Sequence, residues 1–213
     1  MELKLDEVEA RILGSLLEKE MATPEYYPLS LNALVNACNQ KSNRAPVVFY
    51  DEETVLRGLA GLREKQLVVA SGASRVAKYE QTFTGPRKMV RREAAIICEL
   101  LLRGPQTGGE LRGRAERLHS FSDGAEVKKT LDDLEALGFV TLLPRQAGQK
   151  EARYAHLLSG APEAAASPAA TRPDSTGSTT GARLEKLEAE VIALRQEIAE
   201  LRSLLESRAG SAD

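Results

Sequence analysis

Any chemistry in this 213-residue chain has to start from two histidines, two cysteines and its charged side chains. His119 and His156 have no Ser/His/Asp or paired-carboxylate motif around them, and no Gly-rich loop stands in a phosphate-binding context. His119 reads as a helix-end residue and His156 as a strand residue that packs or caps. Cys38 and Cys98 sit within apolar helical patterns, far from either histidine and without metal-ligand spacing. Two buried free thiols suit a reducing cytoplasm. The expectation is a cytoplasmic non-enzyme with no metal and no cofactor. What is left is a set of long donors able to reach phosphate oxygens. These are Lys41, Asn43 and Arg44 in one loop, Arg57 and Arg63 on a helix, and Arg145, Lys150 and Arg153 near a later turn. Their chemistry is that of nucleic-acid binding. Acids stand against them: the helices they flank begin Asp51-Glu52-Glu53 and Asp123-Gly124-Ala125-Glu126, where carboxylates would repel phosphate. The same acids also suit the positive end of a helix dipole. Within the loop 39–44, Asn and Ser side chains equally suit local backbone bonding.

The elements that must position these residues come from a repeated pattern. Val55, Leu59 and Leu62 fall on one helical face, and the helix ends near Gln66. Leu67 to Ala70 then reads as a strand, 71–74 as a turn, and Val76 to Tyr79 as a return strand. Val127, Leu131, Leu134, Phe139 and Val140 repeat the spacing of Val55, Leu59, Leu62, Leu67 and Val68 at an offset of 72. Glu9 to Leu17 matches Glu93 to Leu101 at an offset of 84, and the helix caps Ser30 and Thr107 match at 77. The falling offsets mean that the first copy carries about seven extra residues before its second helix and about five before its third. Three helices closed by a hairpin make a winged helix. The fold class is therefore mainly α with small β-hairpins (α+β): two tandem winged-helix domains at 1–85 and 86–158.

Beyond them, residues 159–182 are Ala, Pro, Ser, Thr and Gly with few large apolar side chains, the composition of a flexible linker. Over 183–206, Leu184, Leu187, Val191, Leu194, Ile198, Leu201 and Leu205 alternate at spacings of three and four, a heptad seam. β-Branched residues at a with Leu at d predict a parallel coiled-coil dimer, with 207–213 as a disordered tail. The alternative is an amphipathic helix docked on its own domain. No apolar run approaches eighteen residues, so no membrane span is expected. Residues 86–160 hold 13 basic and 10 acidic groups, net +3, and residues 161–213 hold 6 and 9, net −3.

The run YPLSLNALVNACNQKSNRAP at Tyr27–Pro46 is distinctive. Together with Leu16–Lys19, Leu102–Thr107, Gly109–Arg112 and Arg153–Leu158 it resembles the YceH-like family of bacterial cytoplasmic proteins. The resemblance covers about residues 5–160. It implies tandem winged-helix domains and hardly constrains function. In a winged helix the third helix usually enters the major groove while the wing contacts the backbone. The first expectation is accordingly a dimeric DNA-binding regulator with two half-site readers. The alternative is a protein-interaction scaffold that binds no DNA.

Overall fold

The computed structural model describes residues 3–71, 76–145 and 151–160. The heptad residues Leu184 to Leu205, the linker beyond 160, and Lys150 lie outside the described residues.

The chain opens with α1 (Glu7–Ala22), and its start is fixed by a reciprocal cap. Asp6 Oδ1 accepts from the Glu9 N–H at 2.8 Å, and Glu9 Oε2 accepts from the Asp6 N–H at 2.9 Å. A short strand β1 (Leu29–Ser30) precedes α2 (Leu31–Cys38), and Ser30 is the cap the sequence predicts, accepting from the Ala33 N–H. α3 (Glu52–Glu64) is capped by Asp51, and the hairpin β2 (Val68–Ser71) and β3 (Lys78–Gln81) closes the first unit. The order then recurs as α4 (Arg91–Arg103), α5 (Gly108–Ala115), α6 (Gly124–Ala136), β4 (Val140–Leu142) and β5 (Tyr154–His156). The described fold is thus mixed α and β: six helices with small antiparallel sheets.

The repeat reaches details that no apolar pattern carries. After each third helix one residue turns left-handed, Gln66 at φ 57° and Gly138 at φ 73°, at the predicted offset of 72. The next N–H then bonds back five residues, Leu67 to the Leu62 carbonyl and Phe139 to the Leu134 carbonyl. Gly138 takes this conformation without a Cβ penalty, whereas Gln66 is held there by the closing bond. β1 is a third strand that the sequence reading missed, and the first sheet runs β1-β3-β2. Its counterpart is a single bridge, Gln106 to Tyr154, immediately before the Thr107 cap. The return strand also starts two residues later than read, at Lys78, which puts Tyr79 and Gln81 inward.

The two units share one core. α1 lies between α2 and α3 on one side and α4 on the other, so its Glu9, Arg11 and Glu18 are buried along with Ile12, Leu13, Leu16 and Leu17. Positions 14 and 98 are repeat equivalents, and they meet: the Cys98 thiol donates to the Gly14 carbonyl at 3.4 Å. A Cβ at Gly14 would lie 2.9 Å from Leu102 Cδ2 and 3.0 Å from Leu101 Cβ. Glycine there allows α1 and α4 to approach. Phe83 meets Phe139 edge-on at 5.8 Å, joining the hairpin ends of the two units. Gly14→Val should overpack the crossing and cost about 1–3 kcal/mol. At about 2–4 °C per kcal/mol for a domain of this size, a thermal melt reads that directly.

Candidate interaction surfaces

The loop between α2 and α3 carries the sequence's most distinctive residues, and it folds onto the second unit. Arg44 is buried. Its Nη1 and Nη2 donate to Glu18 Oε1 at 3.0 Å and Oε2 at 2.6 Å. Its Nε and Nη2 donate to the Ala37 carbonyl at 3.2 and 2.7 Å. Asn43 sits at φ 60°, a conformation Asn tolerates, and its Oδ1 accepts from Arg103 Nη2 on α4. The Ala45 N–H donates to the Leu102 carbonyl at 2.9 Å. The extra residues of the first copy are therefore a clamp across the two units.

The clamp ends in a chain of charge built around two buried carboxylates. Arg117 Nη1 lies 2.6 Å from Glu18 Oε1, and its Nη2 donates to Glu99 Oε1 at 3.0 Å. Arg103 Nε stands 2.9 Å from Glu99 Oε2, an ion pair whose angle is too poor for a hydrogen bond. Both carboxylates are buried, and their pKa values move in opposite directions. Burial would raise Glu18, but the bonds and charge of Arg44, with Arg117 and Lys19 behind them, hold it down at about 2. Burial prevails at Glu99 and raises it, against Arg117 and Arg103, which bind it less completely.

The nucleic-acid candidates fare unequally in this geometry. Arg44 is corrected to a structural residue, since all of its donors face inward. Arg153 on the second hairpin is likewise engaged: its Nη1 donates to the Pro105 carbonyl at 2.9 Å and to Glu110 Oε2 at 2.8 Å. Asn43 belongs to the clamp. Lys41, Arg57, Arg63 and Arg145 are exposed. Arg57 Nη2 donates to Thr54 Oγ1 at 3.3 Å, and Arg63 borders an open depression beside β2.

Much of the second unit's positive charge is engaged by other protein groups. Arg91 donates to the carbonyls of Leu118 and Met21, each at 2.8 Å, bridging the units. Arg87 lies over the Phe83 ring, 4.5 Å from its centroid. Arg112 donates to the Ser122 carbonyl at 3.0 Å. On the outer face of α6, Lys128 pairs with Asp132, and Lys129 pairs with Asp133 at 2.8 Å. With Asp123, Glu126 and Glu135 added, that helix presents more carboxylate than ammonium.

The sequence reading missed Glu18, Glu99, Arg103, Arg117 and Arg11 as structural charges. One signal was present, at Glu99, which interrupts an otherwise apolar helical run. Of the histidines, His119 Nε2 lies 3.5 Å from Glu126 Oε1, with its ring edge-on to Phe121. His156 has a buried Nδ1 with no hydrogen-bond partner, and burial lowers its pKa to about 4. Cys38 and Cys98 are free and buried, and burial raises both thiols, Cys38 to about 11. Among the described residues no three His, Cys, Asp or Glu side chains gather as a metal site requires. No helix among them is long and apolar enough to cross a membrane.

Comparison with known proteins agrees with the motifs. The family model described as "Protein of unknown function, DUF480" matches residues 5–149. A UPF0502 protein of Pelobacter propionicus is 52% identical over 99% of each chain. Another, from Solibacter usitatus, is 52% identical over 95% of this chain and 98% of its own. A third, from Citrifermentans bemidjiense, is 57% identical over 76% of this chain and 77% of its own. The match spans the clamp loop, the buried charges and both three-helix units, and the chain belongs to the DUF480 family, the bacterial group of the UPF0502 proteins.

Proposed function

We propose that this chain is a non-enzymatic adaptor. In this reading residues 1–85 and 86–158 are tandem winged-helix domains that bind other proteins, and residues 183–206 pair two copies as a parallel coiled coil in the cytoplasm. One observation carries the reading. Arg44, Arg91, Arg112 and Arg153 are engaged by protein groups and Lys128 and Lys129 are paired on the surface, while both third helices present carboxylates at the end that would enter DNA. Asp51, Glu52 and Glu53 start α3, and Asp123 and Glu126 start α6. Like charge facing phosphate costs affinity that each contact would otherwise supply.

DNA binding by the same dimer is the second reading, favoured by the exposure of Lys41, Arg57, Arg63 and Arg145. A salt-titrated assay with random-sequence duplex DNA separates the two. The adaptor reading expects no saturable binding at low salt. Four phosphate contacts would instead give a slope of log affinity against log salt of about −3.6, at about −0.9 per contact. Such a slope would overturn the adaptor reading. Removal of residues 180–213 should turn a dimer into a folded monomer in sedimentation equilibrium. A full-length chain that is already monomeric at tens of micromolar would refute the coiled-coil pairing.

A further inference from the structure

We propose that residues 47–49 and the first turn of α3 form a docking face for a cationic amphipathic helix of another protein, with Phe49 as its anchor. The proposal rests on the adaptor reading and names the chemistry of one partner.

The segment before α3 is short, irregular and firmly pinned at both ends. At one end the buried Arg11 donates through Nη2 to the Pro46 carbonyl at 2.6 Å. At the other, the Asn39 side chain acts like a strand partner. Its Nδ2 donates to the Tyr50 carbonyl at 2.7 Å, and its Oδ1 accepts from the Tyr50 N–H at 2.8 Å. Successive side chains of an extended segment alternate in direction. Val48 and Tyr50 are accordingly part-buried, with Tyr50 packed against the core, while Val47 is 43% and Phe49 81% exposed. A loosely held loop would fold its phenyl ring onto the nearby core, because burying it stabilises by about 1.5–3 kcal/mol. The pinned backbone keeps the ring in water instead. Leu56 is 44% exposed, and a helical side chain leans toward the helix N-terminus, so it extends the apolar face over the first turn of α3.

Charge selects the occupant. Asp51, Glu52 and Glu53 are exposed around this face, and neither glutamate has an ion-pair partner among the described residues. Asp51 uses one oxygen to cap the Thr54 N–H at 2.8 Å. Asp6 and Glu7 at the start of α1 are exposed too, and after burial and against Arg11 they help raise the Tyr50 phenol, which places them beside the same segment. Carboxylates around an exposed aromatic repel nucleic acid. They also repel this chain's own residues 161–213, which carry 6 basic and 9 acidic groups. A segment with apolar residues on one face and Lys or Arg on the other satisfies both features, in the groove-and-anchor manner of helical peptide recognition.

The test uses the full-length protein and a fluorescent Leu/Lys amphipathic helical peptide, read by anisotropy, with a Leu/Glu peptide of the same pattern as control. The Leu/Lys peptide should bind saturably and the Leu/Glu peptide should not. Phe49→Ser should weaken binding by about 10-fold or more, as expected of an aromatic anchor, with an unchanged thermal melt. Glu52→Lys with Glu53→Lys should weaken it too and flatten its salt dependence. Absence of saturable binding, or equal binding by Phe49→Ser, would overturn the docking face. So would duplex DNA binding that itself depends on Phe49. The outcome is separable from the adaptor reading, which the DNA titration decides without reference to Phe49.

Discussion

Arg44→Ala should lower the unfolding free energy by about 3–5 kcal/mol, the usual result of removing one member of a buried ion pair. Glu18 would be left buried, ionised and short of two hydrogen bonds from the guanidinium. The Ala37 carbonyl would lose its donors as well. Arg117 would still reach Glu18 Oε1 at 2.6 Å, but from a side chain that is partly in water, so it would offset only part of the loss. Arg44→Lys should recover little. A single ammonium cannot reproduce two parallel bonds to a carboxylate and two more to a carbonyl. The informative control is Glu18→Met with Arg44→Met. Replacing a whole buried pair by apolar side chains is often near neutral. If the double variant melts close to wild type while Arg44→Ala melts far below it, the clamp sets the register of loop 39–46 on α4 more than it adds stability. If Arg44→Ala melts within about 1 kcal/mol of wild type, the buried pair is not what holds the loop. Chemical denaturation read by circular dichroism measures all three.

Legibility in the sequence followed the range of each interaction. The caps Ser30 and Thr107 were readable because each bonds an N–H three residues away. Helix faces such as Val55, Leu59 and Leu62 were readable because the core imposes their period. β1 was not, since two residues give no alternation and Leu29 pairs with Tyr79 fifty positions on. Arg44 reads from the sequence as a loop cation able to reach phosphate, because nothing near it shows Glu18, 26 residues earlier, as its partner. The only hint was that the first copy has extra residues where the second has none. A repeat that adds residues at one place has to put them somewhere, and here they close onto the other copy. Arg153 misled in the same way: its partner Glu110 is 43 residues away. A count of net charge by domain cannot distinguish an arginine bonded to a carbonyl from one facing water, and Arg91 and Arg112 in the second unit are of the first kind.

Stability should fall as the pH drops from about 6.5 toward 4, and His156 should be responsible. The group lies on β5, opposite Val140, with its Nδ1 buried and unpartnered. Burial lowers its pKa from 6.5 to about 4. In the unfolded chain the imidazole takes up a proton near 6.5, whereas the folded chain resists until about 4, so between those values the unfolded state binds more protons. The stabilisation is therefore complete above 6.5 and is lost progressively down to 4. At about 1.4 kcal/mol per pH unit, reduced for the partial exposure of the ring, the loss is about 2–3 kcal/mol. Glu18 acts separately and lower: its carboxyl sits at about 2, so its contribution holds above 4.5 and fades only below it. Glu99, raised by burial, works in the opposite sense and takes up its proton first in the folded state. The difference between wild type and His156→Leu cancels both. Leucine removes the titration and the unpartnered nitrogen, so urea midpoints of the variant should change less than those of wild type between pH 6.5 and 4.5. Parallel pH dependences for the two proteins would show that the imidazole is hydrated in the folded state and that another group drives the acid transition.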